Sequence, residues 1–230
     1  ILLKAPTVEA LARVLRQGSV SASWTSLVGI QVGGSRPPLF IVSGVGGNVV
    51  RFRDLARHLG GDQPVFALQP PGLDRRQPYI TRLEDLAAHH VREIRAKQKT
   101  GPYHLAGYSF GGAVVFEMAR QLEEQGQEIA LVALLDAPEW HYAERALAAL
   151  GWRHLLSRVA ARIRKLIAGP GRIRYISERL KRLVRHTAIG VFRLLRMPLP
   201  ARFVDIVDVN THAVSRYRPR PFRGKVVLLK

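Results

Sequence analysis

Apolar positions along the chain fall into two alternating rhythms. Short, mostly apolar runs without polar alternation occur at Leu39-Phe40-Ile41-Val42, Val65-Phe66-Ala67-Leu68, Tyr103 to Ala106 and Ile129 to Leu135. Runs of this length and β-branched content read as strands buried on both faces. Between them the apolar residues take helical spacing: after the loop Ser43-Gly44-Val45-Gly46-Gly47 through Leu59, from Thr81 to about Lys97, and from Phe110 to Gln125. Thr81-Arg82-Leu83-Glu84 has the form of a capping box, and Gly126 supplies a stop for the helix before it. Buried strands separated by helices predict an α/β fold, a doubly wound and mostly parallel sheet.

The flanks follow other patterns. Pro6-Thr7-Val8-Glu9-Ala10-Leu11 through Leu15 predicts a short amphipathic helix, with Thr7 as N-cap and Gly18 beyond its end. Ser19 to Pro38 is rich in Ser, Gly and Pro and reads as a linker with one apolar stretch, Leu27 to Val32. After Asp136 the strand rhythm stops. From about Glu139 to Pro200 the pattern is helical, with one stripe through Trp152, Leu155, Val159, Ile163 and Leu166 and a second through Ile173, Ile176, Leu180 and Leu183. Phe203 to Tyr217 predicts a further helix, and Lys225 to Leu229 returns to strand. The expected organisation is a helix within 1–17, a linker at 18–37, core at 38–138, a helical insertion at 139–200, and a second, incomplete part of the core at 201–230.

Composition narrows the class. With 230 residues, 47% of them hydrophobic, the chain can bury one full core. No apolar run approaches the roughly 18–20 residues of a membrane span, and no signal peptide opens the chain. The absence of cysteine excludes disulfides and thiolate metal sites and suits a cytoplasmic setting. A net charge of +19 raises nucleic acid or anionic membrane as partners. The charge is local, however: Arg145 to Arg202 holds fifteen Lys/Arg against one acid, Glu178. Arg158, Arg162 and Lys165 fall at helical spacing on one face, as do Lys181, Arg182 and Arg185, with no aromatic interleaving of the kind that stacks bases.

Chemistry is concentrated in HLAGYSFGGAVVFEMARQLEEQG, His104 to Gly126. A strand that ends in Gly107-Tyr108-Ser109-Phe110-Gly111 and enters a helix has the form of a nucleophile elbow. The turn would place the Ser109 hydroxyl at a helix N-terminus, where free N–H groups and the helix dipole favour a developing oxyanion. Asp136, twenty-seven residues later, ends the next strand and would project to the same sheet edge, where a carboxylate can orient a histidine. The loop after the first core strand stands where an oxyanion N–H is supplied, so the expected donors are the backbone amides of Val45 and Phe110.

These pieces resemble the type I thioesterase domain, of the α/β-hydrolase superfamily, that terminates nonribosomal peptide and polyketide synthases. The elbow, the strand LVALLDAP ending in Asp136, RPPLFIVSGVGG with VFALQPPGLD, and YRPRPFRGKVVLL carry the likeness. APTVEALARVLRQG resembles the last helix of the carrier-protein domain that precedes such thioesterases. The resemblance implies a helical lid at 139–200 and a serine thioesterase without a cofactor of its own. Its substrate would be an acyl or peptidyl thioester on the phosphopantetheine arm of a carrier domain in cis. Ser109 would form an acyl-enzyme, released by hydrolysis or cyclisation. Where many relatives have His-Gly or His-Pro, this chain has Ser43-Gly44, and its lid is unusually rich in arginine. The family's catalytic histidine lies after the final strands, and is expected here beyond Lys230. None of the eight histidines present stands out as the base, although His141 lies close to Asp136 in sequence.

Two other readings remain open on the residues alone: another serine α/β-hydrolase, such as an esterase or acyltransferase, and a non-catalytic basic docking domain. The basic insertion makes its own prediction, with Arg158 and Arg162 as contacts for an acidic carrier or its phosphate. Charge reversal at both should raise KM for a carrier-bound thioester and leave a small thioester analogue unaffected. Steady-state kinetics with the two substrates would overturn the assignment if both KM values rose equally.

Overall fold

The computed structural model describes residues 7–16, 25–74, 76–137 and 205–230, together with 184, 187, 190–192 and 194–195. α1 (Val8–Arg16) opens it, and the Thr7 Oγ1 accepts the Ala10 N–H at 3.1 Å, as its sequence predicts. The sheet has six strands: β1 (Leu27–Gln31), β2 (Leu39–Val42), β3 (Val65–Leu68), β4 (Tyr103–Tyr108), β5 (Ile129–Leu135) and β6 (Val227–Leu229). They lie in the order β1-β3-β2-β4-β5-β6. Every neighbouring pair is parallel except β1 with β3.

β1 corrects the expected linker at 18–37. The apolar stretch beginning at Leu27 pairs Leu27 with Leu68 and Val28 with Ala67, so the core sheet starts well before residue 38. All five β1 residues are half-buried, as befits an edge strand, and none of the polar/apolar alternation that would mark a strand survives there.

Helices cover both faces. α2 (Phe52–His58) packs Phe52 and Ala56 on Ile41, Val65, Ala67, Ala106 and Ala133. On the other face α3 (Leu83–Lys97), α4 (Phe110–Glu124) and α5 (Ile206–Arg216) enclose the larger core around Phe40, Leu68, Leu105, Val114, Met118 and Val132. The capping box expected at the start of α3 does not form. Arg82 is the N-cap without a side-chain bond, and Thr81 is nearly buried one residue upstream. Burial of Leu83 and Leu86 therefore fixes the helix entry. Among the described residues no helix is long and apolar enough to cross a membrane.

α4 is pinned by charge as well as by packing. Glu117, buried, accepts from Arg120 at 2.7 and 2.9 Å, from Gln121 at 2.9 Å and from the Tyr217 hydroxyl at 2.9 Å. Burial pushes the Glu117 acid upward in pKa, but the bonds from Arg120, Gln121 and Tyr217 outweigh it and hold the carboxyl below its usual range. Burial and the adjacent carboxylate push the Tyr217 phenol up. The end of α5 is thus fastened to the middle of α4.

Two features of this packing are testable. Gly111 lies where an added Cβ would clash with the carbonyl oxygens of Val42 and Ser43, so the first turn of α4 rests directly on the end of β2. Gly111→Ala should lower stability by about 1–3 kcal/mol or more. Gly46→Ala, whose Cβ would meet nothing within 4 Å, should be close to neutral in urea unfolding. His90 is fully buried on α3, with no hydrogen bond to either ring nitrogen among the described residues. Burial first, and then the neighbouring His89, push its pKa down to about 3. Below about pH 6.5 the unfolded chain binds a proton at this position that the native state refuses, so stability falls with pH between about 6.5 and 3. The slope is about 1.4 kcal/mol per pH unit. Acid unfolding monitored by circular dichroism should be shallower in His90→Leu over that window; equal slopes would contradict this account.

Candidate active site

β4 ends at Tyr108 and α4 begins at Phe110, leaving Ser109 alone to turn the chain. Its backbone sits at φ 52 and ψ −117, a conformation that costs a non-glycine residue about 1–3 kcal/mol and persists only when its surroundings impose it. The surroundings are backbone. A Cβ at Gly107 would meet the Gly111 carbonyl oxygen at 2.2 Å, which shows how closely the turn folds on itself. The Ser109 N–H donates to the Leu135 carbonyl at 2.8 Å, and the Ser109 carbonyl accepts the Gly112 N–H at 2.9 Å. Ser109 remains half-buried, and Phe110, as the first helical residue, has an N–H without an intrahelical acceptor.

Asp136 stands beside it. Tyr108 and Leu135 are register partners in β4 and β5, so Ser109 and Asp136 are the next residues along two adjacent parallel strands. Asp136 also has positive φ, 47°, and its N–H donates to the Leu229 carbonyl of β6 at 2.7 Å. The side chain is exposed.

The loop after β2 closes the third side. Gly44 to Gly47 forms a turn, with the Gly47 N–H donating to the Gly44 carbonyl at 2.9 Å. A Cβ at Gly44 would lie 3.1 Å from the Tyr108 ring and 3.8 Å from the Tyr108 carbonyl oxygen, so the loop abuts the elbow. Among the described residues the Val45 N–H donates to no backbone acceptor. The Arg51 guanidinium lies over the Tyr108 ring, 3.8 Å from its centroid. The three expected pieces, Ser109, Asp136 and the loop bearing Val45, therefore meet at the carboxyl edge of the central strands. The Phe110 N–H and the positive end of α4 stand at the elbow, where they favour a developing negative charge.

No described histidine is hydrogen-bonded to Ser109 or Asp136. His58 Nδ1 meets the Asp54 carbonyl, His89 Nε2 lies 2.8 Å from the Ser26 hydroxyl, and His90 is sealed in the core. His104 is paired with Leu39 at the opposite end of β4. His212 is buried on α5. His141, Arg158 and Arg162, with most of the expected lid, lie outside the described residues.

Asn210 is the residue near the site that sequence reasoning missed. It is buried, and its Nδ2 donates to the Val45 carbonyl at 2.8 Å across 165 residues of chain. A signal exists in the sequence: Ile206, Val209, Ala213 and Tyr217 form the apolar stripe of α5, and Asn210 is the one amide within it.

Residues 37–181 match the thioesterase domain family. The chain is 40% identical over 141 residues to a dimodular nonribosomal peptide synthase of Bacillus subtilis (strain 168), which covers 61% of this chain and 6% of that protein. It is 44% identical over 139 residues to the malpinin synthetase of Mortierella alpina, 60% of this chain and 2% of that protein. The chain thus spans a small fraction of the length of these relatives. Among solved structures, the NocB thioesterase domain of the nocardicin cluster aligns with a TM-score of 0.53 at 26% identity, over 85% of this chain and 70% of that one. A holo four-domain nonribosomal peptide synthetase bound to AMP and glycine aligns with a TM-score of 0.64 at 24% identity, over 96% of this chain and 17% of the other. An elbow in this setting and a family match across more than half of its length lead to one conclusion: the chain belongs to the thioesterase domain family.

Proposed function

We propose that this domain off-loads an acyl or peptidyl chain from the phosphopantetheine arm of a carrier domain in cis, through an ester on Ser109. The observation that carries the reading is Ser109 at φ 52 on the elbow, one residue beyond the Tyr108–Leu135 pair and level with Asp136. The relatives support the context: one is by name a dimodular nonribosomal peptide synthase and the other a synthetase, and this chain spans only 6% and 2% of their lengths.

In the proposed mechanism the Ser109 Oγ attacks the thioester carbonyl while a histidine from outside the described residues takes its proton. The C–O bond forms as the carbonyl π pair moves to oxygen, and the oxyanion is met by the Val45 and Phe110 amides. Collapse breaks the C–S bond, and the imidazolium returns its proton to the pantetheine sulfur. Water, or a nucleophile within the acyl chain itself, then attacks the ester carbonyl and regenerates the serine hydroxyl. Asp136 holds the imidazole in the productive tautomer and stabilises its cationic form. The Ser43-Gly44 pair leaves this scheme intact, because the oxyanion donor it precedes is a backbone amide.

A fluorophosphonate probe applied to the complete gene product tests the reading. Labelling should map to Ser109 and vanish in Ser109→Ala, and Asp136→Asn should lower turnover of a thioester by about 10⁴-fold. A wild-type protein that takes no label would leave the serine without a nucleophilic role.

A further inference from the structure

We propose that Asn210 is a positioning residue that sets the oxyanion loop from α5, an inference that rests on the function given above. Packing of the Val45 side chain on the main core holds the middle of the loop but leaves its peptide planes free to turn. Three of its four turn residues, Gly44, Gly46 and Gly47, are glycines, which leave the backbone free to take several conformations. Its internal bond, Gly47 N–H to Gly44 carbonyl, closes the turn but does not aim it. Aim requires a tie to something rigid outside the loop.

α5 is such a support. The Asp205 side chain caps it by accepting the Val207 N–H at 2.8 Å. Ile206 and Val209 pack against Tyr79, while Ala213 and Tyr217 enter the main core, so the helix is held at both ends. From its middle, Asn210 donates Nδ2 to the carbonyl of Val45 at 2.8 Å. Only the amide nitrogen can serve a carbonyl acceptor, so the orientation of the side chain is fixed by the partner. Holding that carbonyl fixes the residue whose N–H is the proposed oxyanion donor, and such a donor displaced by a fraction of an ångström loses much of its effect.

The other half of the amide argues that the residue is not there for stability. Its Oδ1 is buried and has no hydrogen-bond partner among the described residues, a state that destabilises a fold. Leucine, of the same branching and similar volume, would fill a core position on the apolar stripe of α5 without that penalty. An amide is required there only because something must donate to Val45.

Inactivation by a fluorophosphonate, resolved into KI and kinact on the complete gene product, separates positioning from packing. Asn210→Leu should keep its melting temperature at or above that of the wild type, yet lose about tenfold or more in kinact, a fraction of the 10²–10³ lost on deleting an oxyanion donor outright. KI should stay within about threefold, because the interaction is felt as the tetrahedral centre forms. Asn210→Ala should show the same split if the leucine variant fails to fold, and Val209→Ala, which loosens α5 without touching Val45, should keep its kinact. Wild-type kinact in Asn210→Leu or Asn210→Ala would overturn the proposal, as would an equal loss in Val209→Ala. Absence of label on wild-type Ser109 would instead remove the function on which the inference rests, and the inference with it.

Discussion

The site depends on one steric constraint: three backbone segments meet with no room for side chains between them. The end of β2, the turn after β4 and the first turn of α4 approach so closely that a Cβ at Gly107 or Gly111 would sit inside contact distance of a carbonyl oxygen. With the segments at that spacing, the residue between strand and helix has no normal conformation available, and Ser109 adopts φ 52. The strain is maintained because relieving it would require separating α4 from the central strands. Buried Val114, Val115, Met118 and Leu122 oppose that movement, each retaining roughly 1.5–3 kcal/mol through burial.

The same strain gives the buried ion pair on α4 its purpose. A helix that carries strain at its N-terminus must be prevented from sliding along its axis. Glu117 is held by Arg120 and Gln121 from its own helix and by Tyr217 from the end of α5, so the carboxylate joins two elements at one point. α5 in turn reaches the oxyanion loop through Asn210. A closed circuit results: loop, elbow, α4, Tyr217, α5 and back to the loop.

Much of this was legible in the sequence, and the parts that were not share a cause. The strands at Leu39, Val65, Tyr103 and Ile129 were readable because a parallel sheet covered on both faces demands uninterrupted apolar runs. The elbow was readable because glycine is the residue type that backbone contact requires. β1 was hidden because an edge strand, half-buried throughout, needs no alternation, and Ser, Gly and Pro on either side suggested a linker. The capping box at Thr81 was a false signal, since a local hydrogen-bond motif yielded to the burial of Leu83 and Leu86. Asn210 and the Glu117–Tyr217 bond were invisible for a different reason. Their partners lie 165 and 100 residues away, and no local pattern names a partner at that range.

Asp136 completes the argument because its exposure conflicts with the role proposed for it. A carboxylate facing water attracts a nearby imidazolium by only about 1 kcal/mol at 4 Å, against several when water is excluded. The backbone of Asp136 is already fixed, by its own N–H to the Leu229 carbonyl and by the Ser109 N–H to the preceding carbonyl, so its position is set while its solvation is not. Under the proposed mechanism, an imidazole set against this carboxylate would gain most from it where its approach also excludes water.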